Sequence, residues 1–256
     1  MPRSASTAVD KALDLIEAVA RADRPQRLGE LAQAVGLHRA TAYRVLLDLV
    51  RRGWVQRAGE HYLPGAAALQ VSRAAATRSL GALCRPVLER LAADTGLMVN
   101  LQVLEADRSR VIDVVRPARL AMISDLLGEA LPVHRFAGAL ALVAQLPDGA
   151  RAPYLAVAEA AGHPLGELRA DLDRVRDTGF AVERGRNDKV VASVSRAVTT
   201  VKGTPLCAVT LVGPDTEFGR QRLPELEKHL AAATAHLAGV LAELAAPDGA
   251  TTGGGR

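Results

Sequence analysis

The chain has 256 residues, a formal net charge of +4 and only 3% aromatic residues. This length suits two domains better than one, because a domain usually holds about 100–200 residues. Its two cysteines, Cys84 and Cys207, have no Cys-x-x-Cys spacing and no histidine neighbour, which argues against a zinc or redox protein and indicates a reduced, intracellular one.

The ends of the chain carry no targeting signal. The first ten residues lack the apolar core of a signal peptide, and no run reaches the roughly 18 apolar residues of a membrane helix. We therefore expect a cytoplasmic protein with no membrane partner and no cofactor. Residues 248–256, which are rich in glycine and threonine, are predicted to be a disordered tail.

The first 63 residues predict a winged helix-turn-helix domain. An apolar stripe indicates a first helix from Val9 to Ala20, with Ser6 or Thr7 as its N-cap. Two further helices follow, one beginning at Leu28 and one that carries Ala42, Val45, Leu46 and Leu49 at helical spacing. Gly36 lies between these two helices and suits the left-handed turn that joins them. Residues 54–57 and 60–63 then read as the two strands of a wing.

This domain is the predicted DNA-binding module. It holds ten basic against seven acidic residues, and five of its arginines lie on the second helix of the motif or on the wing. The N-terminal end of that helix enters the major groove in such motifs, while the wing reaches phosphate or the minor groove. Helix-turn-helix geometry also occurs in modules that touch no DNA, so this alternative stays open. The predicted contact residues are Arg39, Ala40, Thr41, Tyr43, Arg44, Arg57 and His61.

Residues 64–80 are predicted to form a linker helix. A break is expected near Arg85-Pro86, because proline is best tolerated in the first turn of a helix, so a second helix is predicted from Pro86 to Thr95. The linker helix is rich in alanine and apolar residues, which favours pairing with a second copy of the chain.

Residues 81–247 predict an α+β domain with an antiparallel sheet. The apolar period changes from 3.6 to 2 after Gly96, which indicates strands. Helical segments follow, then three more strands and one long helix, an order typical of helices packed on an antiparallel sheet. The predicted strands are 99–104, 111–115, 120–124, 180–183, 190–198 and 206–212, and the predicted helices are 136–146, 153–161, 165–178 and 223–244.

The chain from about Ala8 to Leu244 resembles the IclR family of bacterial transcription regulators. The DNA-binding module is similar in Gly36-Leu37-His38-Arg39-Ala40-Thr41-Ala42-Tyr43-Arg44, where the family typically has Gly-Leu-Pro-Lys-Ser-Thr-Val-His/Tyr-Arg. In the second domain, residues 131–134 resemble the family's Leu-Pro-Leu-His, and residues 176–181 its Arg-x-x-Gly-Tyr-Ala.

The resemblance implies a GAF-like effector-binding domain that senses a small organic metabolite. It also implies a homodimer or homotetramer bound to double-stranded DNA at a palindromic operator. The family's effector pocket maps onto Leu120, Ile123, Leu131, Ala137, Gly138, Glu183, Ser193, Thr210 and Val212.

The chain departs from the family pattern after His134. Phe136 stands where the family has a small hydroxyl residue, and Ala139-Leu140 replaces its Gly-Lys pair. Phe136 is added to the predicted pocket, where it either narrows the space or stacks on an aromatic effector; the alternative is a core residue. Arg135 either forms an ion pair with an acidic effector or is a solvated charge in a loop. Glu183 would repel an acidic effector unless it is protonated or bridged by Arg184 or Arg186, so a neutral, amine-bearing or aromatic ligand is also considered. The alternative for Glu183 is a surface residue at the end of a strand.

The sequence also contains residues that other functions would use. Ser193, Ser195, His134 and Asp188 contain the groups of a hydrolase but no Gly-x-Ser-x-Gly elbow, so an enzyme is not expected. His229 and His236 are seven residues apart on one predicted helix, about 10 Å, which is too far for one metal ion. The alternative kept beside the effector-responsive regulator is a ligand-independent DNA-binding regulator whose second domain serves only oligomerisation.

Overall fold

The structure, a computed structural model, describes residues 7–245 and divides into two compact units. The first unit extends to Ser79 and the second begins at Leu80. The predicted tail, residues 248–256, lies outside the described residues. Within the described part of the chain, no helix is long and apolar enough to span a membrane.

The first unit contains three complete helices, a small antiparallel sheet and the beginning of a fourth helix. Its helices are α1 (Ala8–Arg21), α2 (Leu28–Ala34) and α3 (Arg39–Arg51), and its strands are β1 (Gln26–Arg27), β2 (Val55–Ala58) and β3 (His61–Pro64). The sheet order is β1-β3-β2, so the predicted two-stranded wing gains a short third strand from the loop before α2. Thr7 caps α1 in a reciprocal pair of hydrogen bonds with Asp10.

The core of the first unit is built from the helical stripes that the sequence predicts. Leu15, Leu31 and Leu46 come from the three different helices and are fully buried together. Gly36 adopts a φ of +66° between α2 and α3, a conformation that a residue with a Cβ rarely takes. This turn sets the angle between the two helices and leaves one side of α3 outside the core.

Helix α4 (Ala66–Thr95) is continuous, so the predicted break at Pro86 is wrong. An interior proline removes one backbone hydrogen bond and crowds the preceding turn, at a cost of about 3 kcal/mol. Cys84, before the proline, and Leu88 and Leu91, after it, are all buried in one cluster against the sheet of the second unit. Burial of these side chains on both sides of Pro86 offsets the cost and keeps the helix intact.

The second unit is built on a six-stranded antiparallel sheet in the order β6-β5-β4-β9-β8-β7. Its strands are β4 (Met98–Glu105), β5 (Arg108–Val115), β6 (Ala130–Leu131), β7 (Ala181–Arg184), β8 (Val191–Thr199) and β9 (Pro205–Pro214). Its other helices are α5 (Ala137–Ala144), α6 (Ala152–Ala160), α7 (Leu165–Thr178) and α8 (Leu223–Ala245). The predicted α+β class is confirmed.

The two faces of this sheet have different coverings. Val99, Leu101, Val194, Val209 and Leu211 point to one face and form a cluster with α4 and α8. The free cysteines Cys84 and Cys207 are buried in the same cluster. Alternate residues of the same strands point to the other face, part of which is covered by the wholly buried helix α5 and by α7.

The predicted strand at residues 120–124 is wrong. A short 3₁₀ helix (Ala118–Leu120) begins after Pro117 and leads into turns, because the backbone N–H groups of Leu120, Ala121 and Ile123 donate to carbonyls three residues earlier. The edge of β5 is paired instead by β6. The segment between these elements becomes a loop beside the open part of the sheet face.

Candidate functional site

The first unit presents an exposed side of α3. Arg39, Ala40, Tyr43 and Arg44 are exposed there, and Thr41 is half-buried beside them. These residues occupy adjacent i, i+4 rows, Arg39 with Tyr43 and Ala40 with Arg44, so they form one surface. All five are predicted DNA contacts.

The arginines on this surface are available for a partner. Neither Arg39 nor Arg44 forms an ion pair or a hydrogen bond with any residue in the range 7–245, whereas Arg51, at the end of the same helix, pairs with Asp48 at 2.8 Å. The N-cap residue of α3, His38, makes no side-chain capping bond, so the first-turn N–H groups also lack that partner. A helix N-terminus of this kind favours an anion such as phosphate.

The wing carries two more of the predicted DNA-contact residues. Arg57 lies on β2 and its Nε donates to the carbonyl of Gly59 at 2.9 Å, which fixes the base of its side chain against the turn. His61 lies on β3 and accepts a hydrogen bond from Nε of Arg27 at 3.5 Å. Arg27 therefore brings its guanidinium to the wing, where its Nε also lies 3.9 Å from Oε2 of Glu60. Arg27 is not among the predicted contacts, because no strand was predicted at residues 26–27.

The second unit contains a cavity of about 720 Å³ over the uncovered part of its sheet. This volume falls within the range of about 300–1,000 Å³ that is usual for small-molecule sites. The walls are the sheet, the N-terminal end of α5, the loop before β6 and the loop between β7 and β8.

Nine of the ten predicted effector residues line this cavity. They are Ile123, Leu131, Phe136, Ala137, Gly138, Glu183, Ser193, Thr210 and Val212. Leu120 does not line it, because the 3₁₀ helix buries its side chain elsewhere. Arg135 is exposed outside the cavity, while Phe136 lines the cavity and also packs against the cluster around α5.

The sequence reasoning missed the polar wall supplied by β4. Asn100 and Gln102 line the cavity, together with Met98 on the same strand. The alternation of apolar and polar residues along 99–104 was the available signal, since it puts both amides on the face opposite Val99 and Leu101. The loops add Met122, Ser124, Leu126, Asn187, Asp188 and Val190, and the strand ends add Val191 and Pro214.

A chain of hydrogen bonds orders this polar wall. Gln102 donates from Nε2 to Oδ1 of Asn100 at 2.9 Å and to Oγ1 of Thr210 at 3.3 Å, while its Oε1 accepts from Ser109 at 2.9 Å. Thr210 also shares a 2.9 Å bond with Ser195. The amide of Gln102 is thus held in place from three sides, and such buried networks make a site rigid.

Gly138 lets α5 approach this wall closely. A Cβ built on Gly138 would lie 2.3 Å from Nε2 of Gln102, well inside any allowed contact. Only glycine fits there while Gln102 keeps its hydrogen bonds. The first turn of α5 therefore lies directly against the cavity wall.

Glu183 is the buried carboxylate of the cavity. It is 6% exposed, accepts a hydrogen bond from the backbone N–H of Arg186 at 2.6 Å, and accepts one from Oγ of Ser193 at 3.4 Å. Burial raises the pKa of this carboxyl above its usual value, against the opposing effect of these hydrogen bonds.

The serine and histidine side chains of the enzyme alternative have other neighbours. Ser195 bonds to Val209 and Thr210, and Ser193 to Glu183, whereas the ring of His134 stacks on His163 at 5.4 Å. Nδ1 of His134 has no hydrogen-bond partner among the described residues. The same part of the chain contains no group of three or more metal-ligating side chains, which covers His229 and His236.

Comparisons with known proteins identify the class. Residues 8–59 match the model of the IclR helix-turn-helix domain, and residues 73–238 match the model described as "Bacterial transcriptional regulator IclR C-terminal". The acetate operon repressor of Salmonella typhimurium is 29% identical over 227 residues, covering 84% of this chain and 83% of the relative.

Solved structures share the fold. An IclR-family regulator from Rhodococcus sp. superposes with a TM-score of 0.69 at 22% identity, covering 94% of this chain and 96% of that one. An IclR homologue from Microbacterium hydrocarbonoxydans, solved with 4-hydroxybenzoate, has a TM-score of 0.57 at 18% identity and covers 93% of this chain and 100% of that one.

A helix-turn-helix unit followed by a cavity-bearing sheet unit is the arrangement of a bacterial transcription regulator rather than of an enzyme. The chain belongs to the IclR family of bacterial transcriptional regulators.

Proposed function

We propose that this protein is a cytoplasmic, sequence-specific repressor whose second unit binds a small organic effector and thereby changes its affinity for an operator. The observation that carries the proposal is the joint presence of an exposed α3 surface with unpaired arginines and an ordered cavity in the other unit. The name of the Salmonella relative, a repressor, favours repression over activation.

On the DNA side, α3 enters the major groove with Arg39, Thr41, Tyr43 and Arg44. Arginine reads guanine through two parallel hydrogen bonds, and an exposed, unpaired guanidinium can do so without breaking an ion pair first. Arg57 and His61 of the wing contact phosphate or the minor groove. Phosphate contacts position the unit, whereas base contacts select the sequence.

Two copies of the chain bind together, which gives a two-fold symmetric protein and a palindromic site. Exposed apolar residues on α4, namely Leu69, Val71 and Leu83, support pairing through this helix. Leu69 and Leu83 are fourteen residues apart, two heptads, and therefore lie on one side of the helix. A dimer and a tetramer both satisfy this two-fold symmetry.

On the effector side, the ligand fills the cavity beneath Phe136 and the loops. It changes DNA affinity only if it binds two states of the protein unequally, for example two separations of the DNA-binding units. The open volume of about 720 Å³ supports this proposal over the ligand-independent alternative. Leu140, part of the Ala139-Leu140 pair that departs from the family pattern, is buried in the cluster around α5 and does not line the cavity.

The testing experiment is selection of genomic DNA fragments by the purified full chain at physiological salt. We expect enrichment of one palindromic sequence, with affinity for it well above that for random DNA. Sequence-independent, salt-sensitive binding alone would contradict the proposal. Titration of the protein–operator complex with a panel of metabolites then tests effector binding. If no compound gives saturable heat and none changes the affinity for DNA, the ligand-independent regulator is the better model.

A further inference from the structure

The cavity in the second unit has an unusual charge balance. Its lining includes two carboxylates, Glu183 and Asp188, and no lysine, arginine or histidine. Organic acids bind most readily where a cationic side chain faces the carboxylate, and a like charge disfavours them. A ligand carboxylate would therefore find no cationic partner in this lining, so the cavity disfavours organic acids.

Basic residues near Glu183 are directed elsewhere. The guanidinium of Arg186 pairs with Asp171 at 2.7 Å, and that of Arg184 pairs with Asp215 at 2.7 Å. Arg135 and Lys189 are exposed and lie outside the lining. Within residues 7–245, Glu183 thus forms no ion pair with a basic side chain, although it is 94% buried, and Arg186 acts on it only through its longer-range charge.

A buried carboxylate without a counter-ion is costly, and a ligand that supplies the missing charge recovers that cost. The backbone N–H groups of Arg186 and Asn187 both act on this carboxylate, with the short bond from Arg186 at Oε1. The side-chain partner of Oε2 is Ser193 at a long 3.4 Å, so Oε2 can accept a further donor from the cavity. Glu183 and Ser193 are paired across β7 and β8, which fixes the carboxylate at one edge of the cavity floor.

Most of the remaining lining is apolar. Met98, Ile123, Leu126, Leu131, Phe136 and Val212 surround the space beyond the carboxylate. These side chains suit a hydrocarbon or aromatic body and give no partner to a second charge. The other polar wall, formed by Asn100, Gln102 and Thr210, is neutral, and Gln102 is already hydrogen-bonded to Asn100, Thr210 and Ser109. The distribution therefore fits an apolar body with its charged head at Glu183.

We propose that the effector is an amphipathic amine, a cationic nitrogen group on an apolar body, with Glu183 as its counter-ion. This inference rests on the proposed function, in which the cavity binds the effector. Membership of the family does not by itself determine the chemical class of the effector.

The test uses two matched libraries against the full chain in ligand-observed NMR and calorimetry. One library contains primary amines, including 2-phenylethylamine, and the other contains carboxylates with the same hydrocarbon bodies, including phenylacetate. We expect amines to bind in preference to their matched acids. Affinity of the amines falls roughly tenfold or more in Glu183→Gln, since charge-assisted hydrogen bonds contribute about 1.5–3 kcal/mol, and stays unchanged in the exposed-site control Glu159→Gln.

Glu183→Asp provides a second variant that keeps the charge, and we expect it to retain part of the amine preference. Acids binding as tightly as amines, or amine affinity unaffected by Glu183→Gln, would overturn the proposed ligand class while leaving effector binding intact. Absence of binding by every compound in both libraries would overturn the class as well. A failure of the proposed function is distinct, because it appears as no change in operator affinity with any bound compound.

Discussion

Arg44 and Arg52 differ in what each can contact. Arg44 lies in the exposed row of α3, whereas Arg52 is the C-cap residue of the same helix; neither forms an ion pair with a described residue. Removal of either side chain should therefore leave the fold intact, so the two variants form a matched pair.

We expect Arg44→Ala to weaken operator binding by about 1–3 kcal/mol, with relaxed specificity at one base pair. Arg52→Ala should weaken binding to all sequences equally and flatten the dependence of affinity on salt. Fluorescence anisotropy with operator and scrambled duplexes at several salt concentrations measures both effects. Unchanged operator affinity of folded Arg44→Ala would remove this residue from the interface.

Glu183 makes the stability of the second unit depend on pH. Because burial raises its pKa in the folded state, its contribution to stability is fully present below the unfolded pKa and is lost as pH rises through the folded pKa. At neutral pH we expect Glu183→Gln to melt at a higher temperature than the parent, with the difference shrinking on acidification. Thermal unfolding of both proteins from pH 4 to 8, with Glu159→Gln as control, checks this; a constant difference across the range would contradict it.

At the scale of elements, the contact of α5 with β4 depends on Gly138. Gly138→Ala would push the side chain of Gln102 out of its hydrogen bonds with Asn100, Thr210 and Ser109. We expect a loss of about 1–3 kcal/mol in stability, as for other overpacked sites. The control is Gly239→Ala in α8, where a Cβ meets nothing within 4 Å, and there a gain of about 0.5–1 kcal/mol is expected. Chemical denaturation distinguishes the two signs, and equal effects would reject the argument.

Helix α4 is the expected pairing element between copies. Leu69→Glu places a charge on its exposed apolar side, where burial against a partner would be costly. We expect this variant to shift toward monomer in sedimentation velocity and to lose affinity for the palindrome. Val201→Glu, at a fully exposed position in the turn between β8 and β9, should leave the assembly unchanged. A Leu69→Glu variant that keeps its parent assembly would exclude this side of α4.

At the scale of the whole molecule, tryptophan fluorescence can follow the unfolding of the first unit separately. Its single tryptophan, Trp54, packs against the core of the first unit, whereas far-ultraviolet circular dichroism reports both units. If the domains predicted from the sequence unfold separately, the two signals will not coincide in urea. Operator DNA at 100 times its Kd should stabilise the Trp54 transition by about 2.7 kcal/mol and the remaining transition less. Coincident transitions that shift together would indicate one cooperative unit.

Local patterns in the sequence were sufficient for most elements. Helical spacing from Val9 to Leu49, the turn at Gly36 and the change of period after Gly96 depend on residues close together in the chain, and the structure has the corresponding helices and strands. Alternation also determines which face of a strand is apolar. The exposed row of α3 follows from the same spacing, so this candidate DNA surface was readable from the sequence.

Only the tertiary structure decided what depends on distant neighbours. Helix α4 continues through Pro86 because the sheet buries side chains on both sides of it, and residues 120–124 curl into turns while β6 pairs with β5. The polar wall of the cavity joins Asn100 to Thr210 across β4 and β9. Among the described residues, Glu183 forms no ion pair, because Arg186 pairs with Asp171 and Arg184 with Asp215. Such pairings join residues far apart in the chain, so local periodicity does not specify them.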